Sequence, residues 1–448
     1  MGSAERRGPS VIMDGERVGV RVGEGGEGRG DWEREHLRGG GRCRHRAQGG
    51  FGPDSGKGKG AMTGTERPGY DLEQWRRQIQ LLDKLIPLNN CSQAPQTERT
   101  LAAAEAFLES WGRDGMDWDR WLEEVEGAKA EFARLINALP DEIAVTTSVS
   151  AATAGVAGAI GFEGGRRKVV VTEAEFPTVG HVWLAQQRLG ATVEWVPVRD
   201  GMVDPAAFDE AVDERTRVVS ACHGYYQNGF RQDVAAIAER AHACGAWLFV
   251  DAYQTAGTCA VDVKALGVDF LASGTLKYLM GTAGIAFLYI RPELIEQLKP
   301  VVTGWFGRAE PFAFDVRTLD WSASARRFET GTPPVVNAYI ARAGLAMINE
   351  IGPAAIEAWS DRLSRRLLEG GRARGLTVHG TTDLRRKTAS TAFLCPGDSH
   401  AVEARLRERG VLASARGPVI RLAPHFYNTL EEMDAALDAL AGILESAP

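Results

Sequence analysis

Between Ile143 and Ile290 the chain repeats one theme. A short apolar run gives way to a polar or glycine-bearing turn, then to a stretch with apolar residues three or four apart. The runs predict strands at Ile143–Thr147, Lys168–Thr172, Thr192–Pro197, Val218–Cys222, Trp247–Asp251, Phe270–Ser273 and Ile285–Ile290. Helical spacing at Thr178–Leu189, Pro205–Val212 and Val234–Cys244 falls between most of them. Strands that are apolar on both faces and alternate with helices predict an α/β fold: a mostly parallel seven-stranded sheet covered by helices. The last two strands have no helix between them, so one antiparallel strand is expected.

The flanks read differently. Helical spacing at Asp71–Leu85, Glu98–Trp111 and Glu123–Leu139 surrounds a turn-like Pro87–Ser92. Beyond about residue 330, helices at Asn337–Ile351 and Leu363–Arg374 precede short strands near Leu376–His379, Ala389–Leu394 and Val419–Ala423, and then a terminal helix. The pattern implies a tail (1–61), an N-terminal helix and lead-in (62–90), a large domain (91–330) and a small C-terminal α+β domain (331–448). A ligand crevice is expected between the two domains, outside the carboxyl ends of the parallel strands. Residues 1–61 hold 18 of the 52 glycines and almost no apolar periodicity, so too little surface can be buried to offset ordering entropy. A disordered Gly/Arg-rich tail is expected there, its Arg42–Arg46 run included, and Met62 is a candidate natural start.

Composition narrows the function classes. Hydrophobic and charged contents of 44% and 25% are those of an ordinary soluble protein, and a net charge of -7 argues against general nucleic-acid binding. The apolar stretch Ala144–Phe162 is diluted by Thr, Ser and Gly, so no membrane association is expected. Six scattered cysteines with no Cys-x-x-Cys suggest reduced thiols in a cytoplasmic protein, without a zinc or other metal site.

The chemistry concentrates at two strand ends. Asp251 closes the run Ala246–Val250, and 26 residues later Lys277 follows the Phe270–Ser273 strand, ahead of Gly281 and Gly284. Alone, the acid reads equally well as a helix N-cap and the lysine as a surface residue. Together they are what pyridoxal 5'-phosphate requires: an amine to form a Schiff base with its aldehyde, and a carboxylate to keep its ring nitrogen protonated. Gln254 is placed to donate to the phenolic oxygen and Phe176 to stack on the ring. The Thr147–Ala152 turn, with Ser150 and Ala151, is suited to the phosphate because free N–H groups cluster where a helix starts. Thr275 is a second phosphate candidate.

With these residues the chain resembles the class V aminotransferase family, in the branch holding cysteine desulfurases, selenocysteine lyases and kynureninases. The likeness spans roughly residues 85–445 and includes Arg327-Phe328-Glu329-Thr330-Gly331-Thr332-Pro333 and Arg421 through Thr429. It implies fold type I and a homodimer with shared active sites. Thr332 would reach the phosphate of the neighbouring subunit's cofactor, and Arg421 would bind the α-carboxylate of an amino-acid substrate, to which a planar guanidinium is matched. Asn90, Tyr226, Trp305, His181 and His425 are candidate pocket residues, with Tyr226 standing where many relatives have Asn.

The departures are informative. Leu276 and Phe176 occupy places where desulfurases usually carry histidines, and Val411–Pro418 holds no nucleophilic cysteine, so persulfide-forming desulfuration is not expected. Phe176-Pro177-Thr178, Lys277-Tyr278-Leu279 and Gly304–Gly307 lean toward kynureninases, although Leu276 again differs. The expected activity is Cα deprotonation by Lys277 followed by lyase-type chemistry. Transamination and epimerisation are the alternatives, and a non-catalytic scaffold a remote one.

Overall fold

The computed structural model describes residues 67–446. The expected tail, its Arg42–Arg46 run, Cys43 and Met62 lie outside the described residues. Seven strands build the central sheet: β1 (Ile143–Thr146), β2 (Lys168–Thr172), β3 (Thr192–Val196), β4 (Thr216–Cys222), β5 (Trp247–Asp251), β6 (Phe270–Gly274) and β7 (Ala286–Ile290). Their order is β1-β7-β6-β5-β4-β2-β3. Strand β7 runs antiparallel to both its neighbours, and every other pair is parallel. The reversed strand is the one reached without a helix, because only a crossover returns the chain in the same direction.

Both sheet faces are buried. Val145, Val170, Val219, Val250, Leu271 and Phe287 point to one side, where Phe132 stacks on Phe287 at 4.8 Å. Their neighbours Ala144, Val171, Val218, Phe249, Phe270 and Leu288 point to the other, against Val156 and Trp183. Each large side chain buried in this way contributes about 1.5–3 kcal/mol before entropy is counted. Asp251 follows Val250 onto the second face, at the rim where this packing ends.

A smaller antiparallel sheet follows, with β8 (Thr391–Leu394), β9 (Ser414–Arg416) and β10 (Val419–Leu422) in the order β8-β10-β9. Leu363 and Leu367 from the Pro353–Ala373 helix and Leu437 and Leu440 from the Leu430–Glu445 helix cover it. The strand expected at Leu376–His379 is reduced to an isolated bridge between Val378 and Phe393. Gly375 and Gly380, at φ 70° and 95°, turn the chain away on either side. The helix expected over Asp71–Leu85 also divides, into Leu72–Arg76 and a 3₁₀ turn at Gln80–Asp83. Ile79 is extended between them (φ -124°, ψ 91°), which lets both Trp75 and Ile79 enter the core.

The lead-in segment is bound to the far end of the chain. Ile86–Pro87 pairs in parallel with Val411–Leu412, Leu88 N–H donates to the Leu412 carbonyl (2.8 Å), and Ala423 N–H donates to the Leu88 carbonyl (2.7 Å). This places residues 88–92 beneath the loop that carries Lys277.

That loop has little room to move. Gly257 sits at φ 96°, and a Cβ there would overlap the Tyr278 carbonyl oxygen. Gly257→Ala is therefore expected to cost about 3 kcal/mol through combined backbone strain and overlap, measured as a lowered urea midpoint.

Candidate active site

Strands β5 and β6 are parallel neighbours, with Asp251 opposite Ala272, so their carboxyl ends stand side by side. Lys277 lies three residues past β6. Its Nζ is 4.1 Å from the centre of the Tyr253 ring and 5.7 Å from that of Phe176. Tyr253 is seated against Gly274, where any Cβ would strike the phenol. Nothing in the sequence had marked Tyr253, although its place between Asp251 and Gln254 was a hint.

Asp251 is only 6% exposed, and its Oδ1 accepts the Tyr253 N–H at 2.8 Å. Burial pushes its pKa up, while that N–H and the charge of Lys277 pull it back. Glu175 is buried nearby, with Ser220 Oγ donating to its Oε1 (3.1 Å). Burial, and then the charge of Asp251, hold the Glu175 carboxyl well above the usual carboxylate range. Of the two acids, Asp251 is the one whose charge acts on the lysine.

Burial lowers the Lys277 amine from 10.5 to about 8, against the pull of Asp251. In the apoprotein, labelling of Lys277 by an amine-reactive reagent is expected to reach half its limiting rate near pH 8 by peptide mass spectrometry. An exposed lysine would do so near ~10.4. The folded value lies below the unfolded one, so the unfolded chain binds more protons in between. Apoprotein stability should consequently rise with pH from about 8 to 10.5, and Lys277→Met should remove that component.

Two helix N-termini converge opposite the lysine. The Val149–Ile160 helix is capped by Ser148, whose Oγ accepts the Ala151 N–H at 3.1 Å. Ser150 Oγ lies 2.7 Å from Thr178 Oγ1, on the first turn of the Pro177–Ala185 helix. Thr275 is fully buried and donates to the Thr282 carbonyl (2.8 Å), inside the turn that carries Lys277. Thr332 is exposed and shares a cleft with Thr147 and Ala151 of its own chain. The motif before it has a structural part: Arg327 donates to the Ser322 (2.9 Å) and Leu298 (3.1 Å) carbonyls, and Glu329 Oε1 accepts the Val145 N–H (3.0 Å).

The small sheet supplies a buried cation. Arg421 on β10 is 1% exposed, with Nη1 donating to the Tyr226 carbonyl (2.6 Å) and Nη2 to Ser92 Oγ (3.1 Å). Its Nε is buried without a partner. The Tyr226 ring meets Phe176 edge-on at 5.2 Å, linking the guanidinium to the aromatic wall. Ser92 also contacts Ser414 Oγ (2.9 Å) and was not foreseen as a site residue.

The remaining candidates are placed as follows. Gln254 is buried and donates to the Cys91 carbonyl (3.1 Å). Asn90 is enclosed, giving Nδ2 to the Ala423 carbonyl (2.8 Å) and accepting the Tyr427 hydroxyl at Oδ1 (2.6 Å); it holds the lead-in segment rather than facing open space. Trp305 belongs to an aromatic cluster with Trp118, Phe306 and Phe314 at 5.9, 4.5 and 5.8 Å, apart from the contacts made by Lys277. His181 is exposed. His425 contacts the Tyr278 carbonyl through Nε2 (2.9 Å), and burial lowers its pKa to about 4, so its ring is neutral.

These residues fit pyridoxal phosphate. The amine, the buried acid and Phe176, whose ring is 41% exposed, can engage its aldehyde, ring nitrogen and ring face. The unpartnered Arg421 Nε belongs to a cation able to receive a further carboxylate.

Comparison with known proteins identifies the family. The description of the family named Aminotransferase class-V matches residues 94–432. The chain is 38% identical over 376 residues to a Bacillus subtilis protein named "Uncharacterized aminotransferase YcbU", covering 82% of this chain and 97% of that one. It is 28% identical to a kynureninase of Pseudomonas fluorescens, over 84% of this chain and 92% of the relative. A cysteine desulfurase from Thermococcus onnurineus NA1 superposes with a TM-score of 0.76 at 24% identity, covering 85% and 99% of the two chains, which fixes the fold alone.

Proposed function

Because the chain belongs to the aminotransferase class-V family, a family of pyridoxal-phosphate enzymes, we propose that it acts on an α-amino acid by removing its Cα proton at Lys277. When bound, pyridoxal phosphate supplies an aldehyde that condenses with amines and a ring that draws electrons away from Cα. One observation carries the reading: a half-buried lysine, its pKa lowered to about 8, has its amine near two aromatic rings and within the field of a buried acid.

Each residue has a physical task. Arg421, already oriented by Tyr226 and Ser92, receives the α-carboxylate and so aims the Cα–H bond. Lys277 is the attachment point for the cofactor, and once displaced by substrate its neutral amine takes the Cα proton. Asp251 would hold the proton of the ring nitrogen, beside a Glu175 carboxyl whose pKa burial and the charge of Asp251 hold well above the usual carboxylate range. Phe176 would pack on the ring face, and Gln254, whose Nε2 keeps a second hydrogen besides the one given to the Cys91 carbonyl, would donate to the phenolic oxygen. Ser150, the Ala151 turn and the partner subunit's copy of Thr332 would anchor the phosphate, whereas the Thr275 hydroxyl, expected there too, is spent on the Thr282 carbonyl inside its own turn.

After deprotonation the proposed outcome is lyase-type cleavage at Cβ, in line with the kynureninase relative. Among the described residues the 411–418 segment has no thiol, and Cys395 is buried behind β10, so persulfide formation is not part of the reading. Transamination is the second reading, favoured by the name of the Bacillus relative. Product analysis over an amino-acid panel, with and without added keto acid, separates them: turnover strictly dependent on the keto acid would reject the lyase outcome.

The working form is proposed to be a cytoplasmic homodimer. Phe312 and Phe314 pack against Trp305 yet remain exposed in the single chain, as do Val316 and Leu319 nearby in sequence, and such exposed apolar residues are what a partner subunit would cover. Sedimentation at micromolar concentration tests this, and a monomer with full activity would reject the shared-site arrangement.

A further inference from the structure

The face of the small sheet that bears Arg421 carries a second guanidinium. Strand β9 sets Ser414 opposite Arg421 and Arg416 opposite Val419. Residues two apart on a strand share a face, so Arg416, Ser414 and Arg421 all project to one side. That side fronts the lysine: Ser414 Oγ meets Ser92 Oγ at 2.9 Å, and Ser92 in turn receives Arg421 Nη2 at 3.1 Å. The charges of Arg421 and Arg416 are both felt at the Lys277 amine.

The two arginines are in different states. Arg421 is buried and held in place by the Tyr226 carbonyl and Ser92. Arg416 is exposed, and among the described residues its one hydrogen bond is from Nη1 to the neighbouring Ala415 carbonyl (3.3 Å), with no carboxylate paired to it. Gly417, at φ 53°, turns the hairpin just beyond it, which sets Arg416 at the tip. An exposed guanidinium at the rim of an amino-acid site, one strand repeat of about 7 Å along from Ser414, the residue opposite Arg421, suits a second anion on the same substrate.

We infer that the substrate is an α-amino acid whose side chain ends in an anion, a carboxylate or a phosphonate, and that Arg416 is the residue that binds it. This rests on the proposed reading of Arg421 as receptor for the α-carboxylate. A neutral side chain would leave Arg416 solvated and gain nothing from it. The acidic one gains a charge-assisted contact that a neutral side chain cannot make.

The test titrates the holoenzyme, followed by cofactor absorbance, with aspartate, glutamate and 2-amino-3-phosphonopropionate, and with asparagine and glutamine as neutral counterparts. The acidic members are expected to respond at concentrations about 10- to 100-fold lower, the range that one charge-assisted contact supplies. Whichever acid is best identifies the terminal group. Arg416→Gln should then reduce the ratio of kcat/KM for that acid over its neutral counterpart by a similar factor. Binding of glutarate, which has two carboxylates and no amine, should weaken in parallel by calorimetry, a readout that needs no turnover. Equal responses to acidic and neutral amino acids would overturn the inference and leave the proposed reaction standing. An equal loss for both classes in Arg416→Gln, with glutarate binding unchanged, would also overturn it and assign Arg416 a structural part. Silence toward every amino acid would reject the proposed reaction and this inference with it.

Discussion

Lys277→Ala is expected to abolish borohydride-reducible attachment of pyridoxal phosphate and to lower kcat by at least about 10³-fold. Two functions are lost together. Covalent anchoring disappears, and so does the amine that moves the Cα proton, a step for which a positioned base is worth about 10²–10⁴-fold. Among the described residues no second lysine is placed to compensate: Lys387, whose pKa burial lowers to about 7, is tied to the Thr388 and Ser390 carbonyls elsewhere. Removing a half-buried lysine leaves the Tyr253 ring in place against Gly274, so the fold should survive, which a thermal melt verifies. The decisive measurement is mass spectrometry of the reduced protein. A phosphopyridoxyl group found on another residue in wild-type enzyme would remove the basis for the site. Partial rescue of the variant by added methylamine, with a pH dependence set by the added amine, would identify the missing group as a base.

Asp251→Asn is expected to lower kcat by about 10²–10³-fold while changing unfolding free energy by no more than about 1 kcal/mol. The asymmetry follows from geometry. An asparagine Oδ1 can still accept the Tyr253 N–H, so the local hydrogen bond at 2.8 Å is kept. The negative charge is lost, and with it the hold on the ring-nitrogen proton. Glu175 is a poor replacement, since burial more than anything else holds its carboxyl well above the usual carboxylate range. Steady-state kinetics and a denaturant titration on the same preparation check both halves. A fall in kcat of less than about threefold would show that the acid does not support the ring.

What the chain reveals on its own follows from how locally each feature is encoded. Strands such as Lys168–Thr172 and Trp247–Asp251 were readable to the residue, because a strand buried on both faces must be apolar throughout and must stop where that ceases. The acid and the lysine were readable for the same reason, as charged residues at the ends of such runs. Partnerships over long separations were not. Asn90 looks like a pocket residue until Tyr427 and Ala423 occupy its amide, 337 and 333 positions away. Ser92 is an unremarked hydroxyl until Arg421 reaches it across 329 positions. Strand β9 was missed because three residues with two polar members carry no periodicity, and only pairing across Gly417 defines it. Tyr253 was missed because its part depends on Gly274 having no side chain.

The joining of Leu88 to Leu412 and of Asn90 to Tyr427 has a consequence for biosynthesis. On the ribosome, strands β1 to β7 emerge and can assemble while the last third of the polypeptide is still being translated. The nascent chain at that stage owns its lysine and its acid but not Arg421, and residues 86–92 wait without a partner. The lead-in segment therefore finds its hydrogen-bond partners only after residues 411–427 have been made, so a transcript cut short leaves residues 86–90 without the strand and side chains that hold them.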